Sequence, residues 1–135
     1  METIEFAESY QYDTRLVGIT VPAFLNYGGK IVEIKTKIDT GSSYCIFQRK
    51  HAENLGIDVE HGEYARISTA TGGFDAYGFE LSLSVLDIET VSTVYFAKEE
   101  SFTRNVLGRQ GWLDRVKLGL IDYKGKLLLS AYGDK

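Results

Sequence analysis

Fourteen glycines are distributed along the 135 residues, and most of them stand between short runs rich in Val, Ile, Leu, Thr, Tyr and Phe. That spacing is the one expected of an all-β domain whose strands are joined by tight turns. Helix is left a minor part, one or two short segments. Composition narrows the class further: 44% hydrophobic and 25% charged residues, with one Pro and one Cys, describe one soluble globular domain and exclude disordered, collagen-like and disulfide-framework chains. A domain of this length buries roughly two-thirds of the surface its unfolded chain exposes, so its core needs no metal or cofactor.

Fifteen Lys and Arg against nineteen Asp and Glu leave a formal charge of -4, with the basic residues scattered singly or in short pairs such as Arg49-Lys50. No surface that tracks phosphates is implied, and nucleic acid is not an expected partner. The longest uncharged stretch, 16–29, contains Gly18, Pro22, Asn26 and a glycine pair, so it cannot supply a membrane-spanning helix. Glu2 and Glu5 stand where a secretory signal would need a basic region. Cys45 is the single cysteine, which excludes an intrachain disulfide and points to a reducing compartment, the cytoplasm.

Along the chain, 1–13 shows no sustained period and is expected to be an N-terminal arm or edge strand, leaving 14–135 as the domain proper. Strands are expected at 16–25 and 30–38, joined across Asn26-Tyr27-Gly28-Gly29. A cluster of turn formers, Asp39-Thr40-Gly41-Ser42-Ser43, interrupts the second strand before an apolar strand at 44–47. Residues 48–55 contain good helix formers and stop at Gly56, predicting a helix of about two turns. Strands at 64–70 and 74–85 flank Thr71-Gly72-Gly73, and 88–97 is another strand. Polar residues 98–104 read as a loop, and Val106-Leu107-Gly108 as a brief apolar run leading into a helix over 109–115 with Trp112 and Leu113 turned inward. A hairpin at 117–122 and 126–131 closes the chain.

Asp39-Thr40-Gly41 carries the most chemical information, because a strongly β-type run delivers a carboxylate onto a sharp loop held between two strands. Taken alone the triplet reads equally as a turn in which the Asp side chain bonds backbone N–H groups two residues on. With its surroundings, from Ile34 through Asp39-Thr40-Gly41-Ser42-Ser43 to Phe47 and on to Asn54-Leu55-Gly56-Ile57, the segment resembles the active-site half of retropepsin-like aspartic proteases. Asn105-Val106-Leu107-Gly108-Arg109 resembles the second signature of that family, and the hairpin tip Ala70, Thr71, Gly72 and Gly73 lies where the family places its substrate-binding flap. The resemblance runs from about residue 16 to residue 129.

It implies a retropepsin-like acid protease barrel and a homodimer, since each chain of the family supplies one Asp-Thr-Gly to a shared site. Asp39 would be the catalytic residue, Thr40 would tie the two loops together, and Gly41 would admit substrate backbone. Ser42 could donate its hydroxyl to the carboxylate. The strand 127–131 would be a further dimer contact. Val106, Leu107, Gly108 and Arg109 form the second motif. Retroviral members commonly carry an acidic residue four positions after the aspartate as partner for that Arg, whereas this chain has Ser43. The substrate would be a peptide or protein, with no metal or cofactor and no membrane involved.

Other chemistry is weakly supported. His51 and His61 lack a neighbouring nucleophile motif and, with one Cys, make a poor zinc set. Cys45 reads as a small core residue. Gly28-Gly29 and Gly72-Gly73 lack the residues that would make a nucleotide fingerprint. Three readings remain: an aspartic endopeptidase, a catalytically silent dimerisation or peptide-binding module on the same fold, and, more weakly supported, an unrelated β-barrel binding domain in which the triplet arises by chance.

Overall fold

The computed structural model describes residues 1–133. Strands β1 (Glu8–Gln11), β2 (Thr20–Tyr27), β3 (Lys30–Ile38) and β4 (Ile46–Phe47) precede a single α-helix, α1 (Arg49–Asn54). Strands β5 (Glu63–Thr69), β6 (Gly72–Val85), β7 (Ile88–Ala97), β8 (Val106–Leu107), β9 (Val116–Ile121) and β10 (Lys126–Ala131) follow. The order β2-β3-β8-β4-β7-β6-β5 forms one sheet, and an additional β2–β6 pairing closes six of its strands into a barrel. Closure removes the open edges of those strands and lets their inward side chains fill one core. Leu25, Leu83, Val94, Phe96, Phe47 and Leu107 are among its fully buried members.

Strand β6 owes its role to its length of 14 residues. One edge pairs with β7 from Ala76 to Val85, while the opposite edge is shared, with Gly72–Gly78 facing β5 and Ser82–Val85 facing β2. The shared edge means that the second half of β6 belongs to the barrel and the first half projects beyond it, carrying β5 as a hairpin arm. The turn into β7 is made by Leu86 and Asp87 at φ 49° and 66°, two left-handed residues without a glycine. That conformation matches the right-handed twist of the flanking strands.

A second sheet, β1-β10-β9, is antiparallel throughout. The N-terminal arm thus becomes a paired strand, Glu8 opposite Leu129 and Gln11 opposite Lys126. It is fastened by the Tyr12 hydroxyl donating to Asp122 and the Tyr12 N–H donating to the Gly125 carbonyl at 2.9 Å. The Asp122 hydrogen bond, then burial, push the Tyr12 phenol up to about 12. Strand β1 covers one edge of β10 over Lys126–Leu129, and β9 covers the other over Lys126–Ala131. Leu127 and Leu129 are also spent on the core.

Three elements differ from the sequence expectations. No helix spans 109–115; Gly111 takes φ +100°, and only Leu113–Arg115 coils, as a 3-10 turn. Trp112 is nevertheless buried at 1% exposure, as its size demands. The strand expected at 44–47 is only Ile46–Phe47, because Tyr44 makes an isolated bridge to Gln110 instead of entering the ladder. The strand expected at 16–25 begins at Thr20, leaving Leu16 and Val17 exposed in the preceding turn.

Helix α1 packs on β3 and β7 and buries His51 and Ala52. Neither ring nitrogen of His51 has a hydrogen-bond partner. Burial first, and the Lys50 charge second, hold its imidazole below the usual range. The unfolded chain therefore binds a proton that the folded chain rejects. Stability is complete above the unfolded value of about 6.5 and is lost as pH falls through the lower folded value. Thermal melts from about pH 7 down to about pH 5 should show a falling melting temperature, and His51→Leu should flatten that slope.

Candidate active site

Strand β3 ends at Ile38 and hands the chain directly to Asp39. Two backbone neighbours hold it there: the Ile38 N–H donates to the carbonyl of Ile19, just before β2, at 2.9 Å and the Asp39 N–H to the Leu107 carbonyl at 3.0 Å. The carboxylate Oδ1 accepts the Gly41 N–H at 2.9 Å, and the Ser42 N–H closes the turn on the Asp39 carbonyl at 3.1 Å. These bonds are the Asp-initiated turn, and they fix the side chain rather than consume it, since a carboxylate offers about four acceptor sites. Asp39 is half-buried.

The loop is crossed by the segment after β8. Arg109 donates its N–H to the Ser42 carbonyl and Gln110 to the Ser43 carbonyl, both at 2.9 Å. Gly108 lies at the crossing: a Cβ there would run into the Tyr44 carbonyl and stand 2.8 Å from the Ser42 oxygen. Only glycine lets the two backbones approach this closely. The Gly108 N–H points to the Cys45 sulfur at 3.4 Å. Burial pushes that thiol up to about 12, so it packs as a neutral group.

In front of Asp39 opens a cleft of about 480 Å³, bounded on one side by Gly41, Ser42, Ser43 and Tyr44 and on the other by the β5–β6 hairpin. The hairpin contributes residues 66–70 and Phe74; Phe102 and Arg104 close a third wall. The carboxylate and the projecting hairpin thus face one another across a space open to an extended chain.

The residues named from the sequence separate accordingly. Asp39, Gly41, Ser42, Ala70 and Val106 line the cleft. Thr40 is exposed at the loop apex. Leu107 is core, and Arg109 directs an exposed side chain away without an acidic partner among the described residues. Thr71 forms the hairpin tip with Ala70, while Gly72 and Gly73 already pair as strand with Thr69 and Ser68. Ser42 requires a correction: its hydroxyl donates to the Tyr44 carbonyl at 2.7 Å, not to Asp39. A backbone acceptor two residues on is nearer to hand for so short a side chain. Sequence reasoning did not single out Arg66, Phe74, Phe102 or Arg104.

An acid on a turn between strands, braced by a glycine-apexed crossing and faced by a hairpin, is the architecture of an aspartic protease fold. Residues 21–111 match the family model described as aspartyl protease, 91 of 135 residues, and the chain belongs to that family. Its fold is retropepsin-like. The crystal structure of a retropepsin-like aspartic protease from Rickettsia conorii is similar at 25% identity and a TM-score of 0.67, over 91% of this chain and 97% of that one. EIAV protease complexed with the inhibitor HBY-793 shares the fold at 15% identity and a TM-score of 0.52, over 67% of this chain and 80% of that one. No curated protein matches the chain.

The crossing should be intolerant of even one methyl group. Gly108→Ala forces backbone against backbone, and we expect a loss of at least about 2 kcal/mol in chemical denaturation, in the range of severe overpacking. Gly41→Ala meets one side-chain atom, the Asp39 Oδ1 at 3.3 Å, and no backbone, and should cost much less.

Proposed function

We propose that two copies of the chain meet at their Asp39 loops to form one active site, and that the dimer is an aspartic endopeptidase. The observation that carries this reading is the cleft itself, in which Asp39 faces the β5–β6 hairpin. One carboxylate, however well placed, is half of the chemistry. The chain contains a single Asp-Thr-Gly, so the other half must come from a second copy.

Two carboxylates a few ångströms apart cannot both ionise cheaply; they share a proton, and the two apparent pKa values belong to the pair. The ionised member takes a proton from a water held between them, and the resulting hydroxide adds to the peptide carbonyl carbon. The protonated member donates to the carbonyl oxygen. Collapse of the tetrahedral adduct, with a proton delivered to the nitrogen, breaks the C–N bond and restores the shared proton. No covalent intermediate arises. In this reading Thr40, exposed at the loop apex, ties the two loops, and the hairpin covers the bound peptide.

Asp39→Asn keeps the shape and the Gly41 hydrogen bond but cannot exchange the proton. Cleavage of a peptide library should fall at least about a thousandfold, while sedimentation still reports a dimer. Unchanged turnover in the purified variant would remove Asp39 from the mechanism, and a monomer that cleaves would remove the shared site. The silent-module reading draws on Ser43 and on the Arg109 side chain, which has no acidic partner among the described residues, and predicts a dimer that binds peptides without turnover.

The hairpin tip gives a second test. Gly72 takes φ +130°, where side chains are strained, although a Cβ at this position would find nothing within 4 Å. Gly72→Val should therefore disturb local backbone without a clash. We expect turnover to fall at least about tenfold, equivalent to about 1.4 kcal/mol of transition-state stabilisation, with only a small change in melting temperature.

A further inference from the structure

The cleft carries a positive charge that its own protein leaves unanswered. Phe74 and Phe102 pack with ring centroids 4.8 Å apart, and the Arg104 guanidinium stands 5.3 Å from the Phe102 centroid. Arg104 is exposed, and among the described residues it has no acidic partner. The other arginine of the cleft, Arg66, differs. It donates to Asp75 Oδ1 at 2.9 Å, and the Tyr64 hydroxyl donates to the same oxygen at 2.7 Å. Asp75 and Glu99 line an adjoining pocket that shares Arg66, Phe74 and Phe102 with the cleft, and Asp39 is the carboxylate among the residues lining the cleft itself.

Position matters as much as charge. Val106 pairs with Lys37, two residues before Asp39, and the Lys37 N–H donates to the Asn105 carbonyl at 2.9 Å. Arg104 therefore enters the cleft from the loop that leads into β8, beside the strand pairing that precedes the aspartate, not from the distant hairpin tip. An arginine resting on an aromatic face is partly ordered before any ligand arrives, and its planar fork matches a carboxylate.

Resting on the proteolytic reading above, we infer that Arg104 selects substrates carrying an Asp or Glu side chain close to the scissile bond. The substrate carboxylate pairs with the guanidinium, and its methylene stem lies against Phe102. Without that cation an acidic side chain would be repelled by Asp39; with it, a Lys or Arg side chain is the one excluded.

The test uses decapeptides of one sequence in which each of the four residues flanking the central bond is in turn Glu, Gln, Leu or Lys. For the wild-type dimer, kcat/KM should favour Glu over Gln at least about tenfold at one of these positions, and Arg104→Glu should reverse the order in favour of Lys. The same peptides titrated calorimetrically onto Asp39→Asn provide a readout without turnover. There the Glu preference should disappear as pH falls through the ordinary glutamate value of about 4.3.

Equal handling of Glu and Gln peptides, or a Glu preference that survives Arg104→Glu, overturns the inference. Turnover without acidic preference overturns it while leaving the protease reading intact. Binding that depends on Arg104, with no turnover by the wild-type dimer, supports the inference and overturns the protease reading. Absence of both binding and turnover overturns both.

Discussion

The contact between Gly108 and the Asp39 loop is the constraint on which the rest of this molecule depends. Hydrogen bonds from Asp39, Arg109 and Gln110 stitch two irregular segments together where no ladder could. Their backbones touch so closely that a Cβ at Gly108 would displace the Tyr44 carbonyl. A buried polar backbone must find partners, and here the two loops supply them to each other. The aspartate is consequently held on a rigid platform, although it sits in a turn.

Barrel closure supplies the other half of the geometry. Because β2 and β5 share one edge of β6, the strand is at once a barrel stave and the root of a projecting arm. The arm is anchored by a long antiparallel pairing with β7 but has few buried residues at its end, so rigidity at the root and freedom at the tip come from one strand. Polar choices around the cleft follow from this arrangement: Arg66 is neutralised by a cross-strand neighbour, whereas Arg104, on the connecting loop, has no strand beside it to provide one.

Acid conditions pull the structure in opposite directions. A shared carboxylate pair is protonated once at moderately low pH, which suits the proposed chemistry. His51 is buried without a hydrogen bond on helix α1 and resists the proton that the same conditions offer. The helix abuts β3, the strand that delivers Asp39, so loss of helix packing would reach the site through its supporting strand. Cys45 presents no such conflict, because its neutral thiol is the form that burial favours.

Alternation and glycine spacing determined the class of fold, and the runs around 30–38, 74–85 and 88–97 were legible as strands because their residue types leave little else. The Asp39 turn and the hairpin were legible for a related reason, since turns demand particular small residues, whereas the Gly108 motif and the hairpin's place opposite the aspartate were expected only from the resemblance to retropepsin-like proteases. Segment 109–115 was misread because helix formers outnumber Gly111, yet the Tyr44–Gln110 bridge and a left-handed Gly111 decide its path. Ser42 was misassigned because a hydroxyl has several acceptors within reach, and local composition cannot rank them. Tertiary structure alone decided that Phe74, Phe102 and Arg104 line one cleft with Asp39, that β10 lies between β1 and β9, and that Arg104 has no acidic partner among the described residues. Those are relations among segments far apart in the chain, and no local propensity encodes which distant side chains a closed barrel will bring together.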